Sequence, residues 1–225
     1  MKRTCLFCLI AVLFAFCLTA CVTRETQRVV PAEQTRASMT FYSGPRAPIV
    51  VGSFDNRSNF MRGIFSDGQD RLGNQAKTIL ITHLQQTNRF TVLDRDNMEE
   101  AMREAEIRGE VQNLMGASYI ITGGVTEFGR REVGDHQLWG ILGRGRSQVA
   151  YAKVSLNVVD IRTSAVVSSA QGGNEVRLSE REILGFGTSA GYDSTLNGKV
   201  LDGAIREAID ELINAIERGL WRPAI

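Results

Sequence analysis

The chain has 225 residues, with 26 basic and 25 acidic side chains and four cysteines, at positions 5, 8, 17 and 21. Balanced charge offers no clustered basic surface for nucleic acid. Cysteines confined to the first 21 residues exclude a disulfide framework and a cysteine-based zinc or redox site from the remainder.

Lys2 and Arg3 give a short positive start, Leu6 through Leu18 is an almost unbroken apolar run, and Leu18-Thr-Ala-Cys21 has the small residues of a cleavage site. The run is shorter than the ~18 apolar residues expected of a spanning helix. The pattern is an export signal, residues 1–20, whose cleavage leaves Cys21 at the head of the mature chain. A thiol there takes a diacylglycerol on sulfur, so the covalent lipid on Cys21 is the one attached group expected, with no other cofactor. Val22, in place of an aspartate, resembles bacterial lipoproteins sorted to the outer membrane. The 205 residues that remain are enough for one sizeable domain.

Residues 21–47 are polar, contain Pro31 and Pro45, and follow neither helical nor strand periodicity, as suits a tether. Pro48–Phe54 is a short β-branched run and is expected to be a buried strand. The loop from Asp55 to about Gly68 holds Phe60, Met61, Ile64 and Phe65, more large apolar groups than a plain connection needs. From Gln69 to Gln86, Leu72, Ala76, Ile79, Leu80, His83 and Leu84 recur at helical spacing, with Asn88 as the stop. Arg89–Leu93 is the next strand. Asp94 or Asp96 then caps a charged helix through about Ile107. A short helix around Glu110–Met115 follows, and Ala117–Gly124 enters a third strand, completing a strand–helix alternation, which is α/β organisation.

Beyond Val125 the helical signal disappears for about seventy residues. Val149–Ile161 alternates, Ala165–Ala170 follows after a turn, and Phe186, Thr188, Ala190 and Tyr192 alternate among glycines. Such strands suit a bent barrel wall or close strand packing. From Gly198 to Trp221 an apolar stripe of Leu201, Ala204, Ile205, Ala208, Ile209, Leu212, Ile213 and Ile216 predicts a long helix packed on the sheet, with Trp221 as anchor.

No residue set presents an enzyme. Gly185-Phe-Gly-Thr-Ser-Ala190 has glycines in the dinucleotide pattern, but turn formers follow where a phosphate-binding helix should start. His83 and His136 have no second ligand at metal spacing, and no serine sits in a nucleophile elbow. Asp94, Asp96, Glu99 and Glu100 are explained by helix capping.

Taken in order, the lipobox at 18–21, the strand Ile49–Phe54 and the loop and helix through Leu84 resemble the curli-secretion lipoprotein family (CsgG/HfaB type). So do Arg89-Phe-Thr-Val-Leu-Asp-Arg95, Gly116-Ala-Ser-Tyr-Ile-Ile-Thr-Gly-Gly124, Val154-Ser-Leu-Asn-Val-Val-Asp-Ile161, Gly191-Tyr-Asp-Ser194 and Glu217-Arg-Gly-Leu-Trp221. The resemblance implies an α/β periplasmic domain, a mixed sheet with flanking helices over residues 48–225. It also implies two β-hairpins, about 128–156 and 167–196, contributed to an oligomeric transmembrane β-barrel.

In such a ring of identical subunits closure removes the strand edges that lipid forbids. Trp139, Tyr151 and Tyr192 are candidate interfacial aromatics. The loop after the first strand corresponds to the family's pore constriction, here Asn59, Phe60 and Phe65, although the tyrosine expected before the Asn-Phe pair is absent. The implied function is an ATP-independent outer-membrane secretion channel for unfolded curli-like or adhesin and holdfast subunits. Its partners are other copies of the chain, outer-membrane lipid, the secreted polypeptide, and periplasmic or extracellular accessory factors. The alternative is a lipoprotein without a pore that faces the periplasm and regulates a partner such as a peptidoglycan synthase. Charges such as Arg130, Arg131, Glu175 and Arg177, within the expected hairpins, favour that alternative, because a lipid-facing arginine at mid-depth costs about 2–4 kcal/mol.

Overall fold

The computed structural model describes residues 32–60, 68–136, 144–181 and 194–223. Residues 34–225 group as one unit, separate from residues 1–33. The expected lipidation site Cys21, together with Phe65, Trp139 and Tyr192, lies outside the described residues.

Five strands form one sheet: β1 (Ala47–Asn56), β2 (Phe90–Leu93), β3 (Tyr119–His136), β4 (Arg144–Asp160) and β5 (Val166–Arg181). Their order is β2-β1-β3-β4-β5. β1 lies parallel to β2 and β3, and β3, β4 and β5 are antiparallel, so the sheet is mixed. Among the described residues three α-helices accompany it: α1 (Arg71–Gln86), α2 (Met98–Arg108) and α3 (Ser194–Glu217). Among the described residues no helix is long and apolar enough to cross a membrane.

Strand alternation decides which side chains meet the helices. Ile49, Val51, Tyr119, Ile121, Val154, Leu156 and Val158 all turn to one face and are buried. A register shift between Val51 and Phe54 lets Phe54 and Asn56 stay on that face. Against it lie Leu72, Ala76, Leu80 and Leu84 of α1 and the stripe of α3 from Val200 to Ile213. Each fully buried large aliphatic group of that stripe contributes about 1.5–3 kcal/mol. Where α3 crosses β5 its backbone touches the strand, because a Cβ at Gly172 would collide with Ala204 O and Ala208 N.

Local chemistry sets the element ends. One oxygen of Asp70 caps α1 by accepting Gly73 N at 2.8 Å, and the other accepts Asn56 N at 2.6 Å, closing the stem of the loop after β1. Asn88 takes φ +58° after α1, as its short amide side chain tolerates, and fulfils the expected stop. Trp221 is buried, stacked on Phe90 at 6.3 Å and edge-on to Tyr119 at 5.2 Å, the anchoring expected of it.

Two expectations change, and two others merge into one element. Residues 110–115 form no helix: Gly109 ends α2 at φ +68°, and Glu110 N bonds Ala105 O. The third strand, entered at Tyr119, and the first expected hairpin, about 128–156, are one element: β3 runs on to His136, paired with β4 on both sides of a register shift between Val125 and Glu127. The stretch expected to be an unstructured tether contains an ordered 3₁₀ turn, Ala37–Met39. Buried Asp210 of α3 accepts Arg36 N and Ala37 N, both at 3.1 Å. Buried Arg89 donates to Ala37 O at 2.9 Å, Thr40 Oγ1 at 3.0 Å and Glu217 Oε1 at 2.6 Å, and sits over the Tyr42 ring at 5.0 Å. Two buried charges thus fasten the start of the unit to the C-terminal helix.

Candidate functional site

The loop after β1 begins as a tight polar turn. Asn56 Oδ1 accepts Ser58 N and Ser58 Oγ at 3.0 and 2.6 Å, and Asn56 Nδ2 donates to Phe60 O at 2.8 Å. This folds the loop back so that Phe60 meets Phe128 edge-on, ring centroids 4.7 Å apart. Asn59 is exposed. Of the two candidate constriction residues described here, only Asn59 is directed to solvent, and Phe60 leans on β3.

Past Phe128 the strands continue with α3 still behind them. Arg130 Nε donates to Asn197 Oδ1 of α3 at 2.9 Å, and Ala150 of β4 is fully buried on that side, while Val149, turned to the other face beside Tyr151, is fully buried as well. On the opposite face no helix covers the sheet among the described residues. There the cross-strand pairs Lys153–Glu127 and Arg131–Glu175, both 2.8 Å, flank Tyr151. Tyr151 lies across Gly129, whose missing Cβ leaves room for the ring. These groups line a shallow depression of about 490 Å³ with Gly173 and Asn174. The positions expected to begin a membrane hairpin therefore carry ion pairs on one face and helix contacts on the other.

The remaining sequence candidates have structural roles. Asp94 accepts Asp96 N, Asn97 N and Asn97 Nδ2 ahead of α2, and the Asn97 side chain and backbone bonds hold its carboxyl below the usual range. Asp96 pairs with Lys77. His83 is buried, and its Nε2 lies 2.8 Å from Asp202 Oδ1 of α3. Burial pushes the Asp202 carboxyl up, but hydrogen bonds from His83 and Arg206 outweigh it and hold the group below its ordinary value. Among the described residues no three ligand-type side chains are arranged to hold a metal. Sequence reasoning missed the Asp210 and Arg89 anchors: Asp210 stands among the charged residues of α3's polar side and Arg89 directly precedes β2, so neither position stands out in the sequence.

The sequence matches the family described as "Curli production assembly/transport component CsgG" over residues 37–224. A Neisseria meningitidis serogroup B (strain MC58) protein named "Putative lipoprotein NMB1126/NMB1164" is 61% identical over 209 residues, 93% of each chain. Among solved structures, lipoprotein GNA1162 from Neisseria meningitidis is 17% identical, with a TM-score of 0.36, covering 76% of this chain and 99% of that one. The PelC dodecamer from Paraburkholderia phytofirmans is 16% identical, with a TM-score of 0.35, covering 75% and 92%.

Proposed function

The chain belongs to the CsgG family and is a lipoprotein of it, and from that premise we propose that it forms a homo-oligomeric export ring at the outer membrane. In this reading Cys21 carries the lipid that holds the ring to the bilayer. The ring passes or guides extended polypeptide, curli-like or adhesive subunits being the cargo class, without nucleotide hydrolysis. The observation that carries the reading is the extent of the match, which takes in the docked 3₁₀ turn, the whole sheet and α3 rather than a fragment of them.

The β3–β4 ladder passes Arg130, which is bonded to α3, and continues to the pair His136–Arg144. On the face away from α3 it bears the ion pairs Arg131–Glu175 and Lys153–Glu127. Charged groups of this kind are costly against lipid at mid-depth. In the proposal, therefore, the ring rests at the membrane surface on its lipids, with the long strands as a wall in the periplasm rather than a lipid-embedded barrel.

The test extracts the lipidated protein in mild detergent, images the particles by negative stain, and fractionates cells carrying Cys21→Ala behind a conventionally cleaved signal. Rings that become soluble without detergent when the lipid is lost support the proposal. Rings that stay in the membrane fraction after Cys21→Ala would restore the embedded barrel. Particles of protomer mass would end the ring reading.

A further inference from the structure

Two uncovered apolar surfaces on this chain differ in kind. The first is α2 with the segment that follows it. No residue of α2 is buried, and Ile107, Val111, Leu114 and Met115 are exposed, Val111 to 96%. An isolated helix of this length is marginal in water, since fewer than ~12–15 residues rarely sustain one alone. From Met98 to Glu110 five glutamates outnumber two arginines.

The second surface is the sheet face opposite α1 and α3. The registers place Leu93, Val50, Ile120, Val159 and Val166 in one row that crosses all five strands. The first four alternate with, or pair beside, buried positions and are half-buried; Val166 is 58% exposed. Above this row the same face bears Arg57, Arg131, Lys153 and Arg177 against Asp55, Glu127 and Glu175. Arg57 is held over Gly124, its Nε 3.4 Å from where a Cβ would stand. Arg57 and Arg177 make no ion pair among the described residues, so the face is left with a positive excess where the helix has a negative one.

We propose that these surfaces bind each other between copies: α2 and residues 109–115 of one subunit seat on the uncovered sheet face of the next. An unlike pair of patches makes a head-to-tail contact, which propagates around a ring when the rotation closes. Apolar side chains meet the apolar row, and the glutamates meet the positive excess, which orients the approach. The inference rests on the ring reading and adds the two faces that build it.

The experiment uses the full-length lipidated protein in detergent and reads particle mass by mass photometry. Variant H carries Ile107→Glu and Val111→Glu; variant F carries Val166→Glu and Ser169→Glu, all at exposed positions. Each variant alone is expected to lose the high-mass species entirely, with unchanged circular dichroism. Mixed one to one, H and F retain one good helix and one good face between them, so they are expected to form dimers and nothing larger. A contact between two like surfaces gives no such rescue. If the wild type is a ring and both variants still form it, or if the mixture stays monomeric, the assignment of faces is overturned while the ring stands. A monomeric wild type overturns both.

Discussion

Helices α3 and α2 carry apolar side chains at comparable density, yet one buries them and the other does not. In α3, Leu201, Ile205, Ile209, Leu212 and Ile213 reach the sheet and are fully or nearly fully buried. In α2, Met102 and Ile107 stay exposed, and no side chain of the helix is buried. The difference follows from connection and pattern. α3's stripe keeps the i, i+3, i+4 spacing from Val200 to Ile216, whereas α2's apolar groups are scattered among six charged residues and pass beyond the helix end at Gly109. Stability resides in the first helix, and the second is available for association. Ile209→Ala tests the stronger half of this contrast: removing a buried isoleucine from the α3–sheet interface should cost about 2–5 kcal/mol. Urea unfolding of the detergent-solubilised protein reads the loss.

The docked start of the unit lies between these extremes. Arg89 is buried and is the donor for three groups on the segment and on α3. Arg89→Ala leaves their acceptors without a charged partner, at an expected cost of about 1.5–3 kcal/mol for a charge-assisted bond set. It should also release residues 35–42, so that trypsin cuts after Arg36 faster than in the wild type while the sheet stays protected. Unchanged cleavage would mean that Asp210 alone holds the turn.

Where α1 meets α3, Asp202 gives a pH handle. Its folded carboxyl titrates below the unfolded value of about 3.9. The sign follows: the group's contribution is complete above the unfolded value and drains away as pH falls through the lowered one. Unfolding midpoints taken from pH 6 down to pH 3 should therefore decline more steeply for the wild type than for Asp202→Asn. Parallel curves would assign the acid sensitivity to other carboxylates.

How much of this was legible depended on whether side-chain pattern or geometry carried the information. Ile49, Val51, Leu80 and Ile209 are apolar at the right period, so β1, α1 and α3 can be read directly. The far ends of β3, β4 and β5 are rich in arginine, glutamate and glycine, so no apolar period marks them, and the expectation of hairpins there came from the resemblance alone. The turn at Ala37–Met39 depends on Asp210, 173 residues away from Ala37, which no local spacing reveals. Of the candidate site, the aromatic and amide composition of the loop was visible, but the turn that sends Phe60 against Phe128 rests on Asn56 and Ser58, polar residues that look like any loop.

The smallest expected effect bears most directly on the difference between α2 and α3. Met102→Gln and Ile107→Gln remove apolar surface from α2, where nothing within the subunit covers it. Substitutions at uncovered surface positions shift stability by no more than about 0.5 kcal/mol. The measurement belongs in the Val166→Glu, Ser169→Glu background, where assembly adds nothing to the subunit's own unfolding free energy. There the pair should leave the urea midpoint unchanged, against several kcal/mol for Ile209→Ala. A large loss in that background would mean that α2 is fastened within its own subunit, and its apolar side chains would then have no part in joining copies. An unchanged midpoint, together with lost assembly in the otherwise wild-type chain, makes α2 a helix whose packing partner is another molecule.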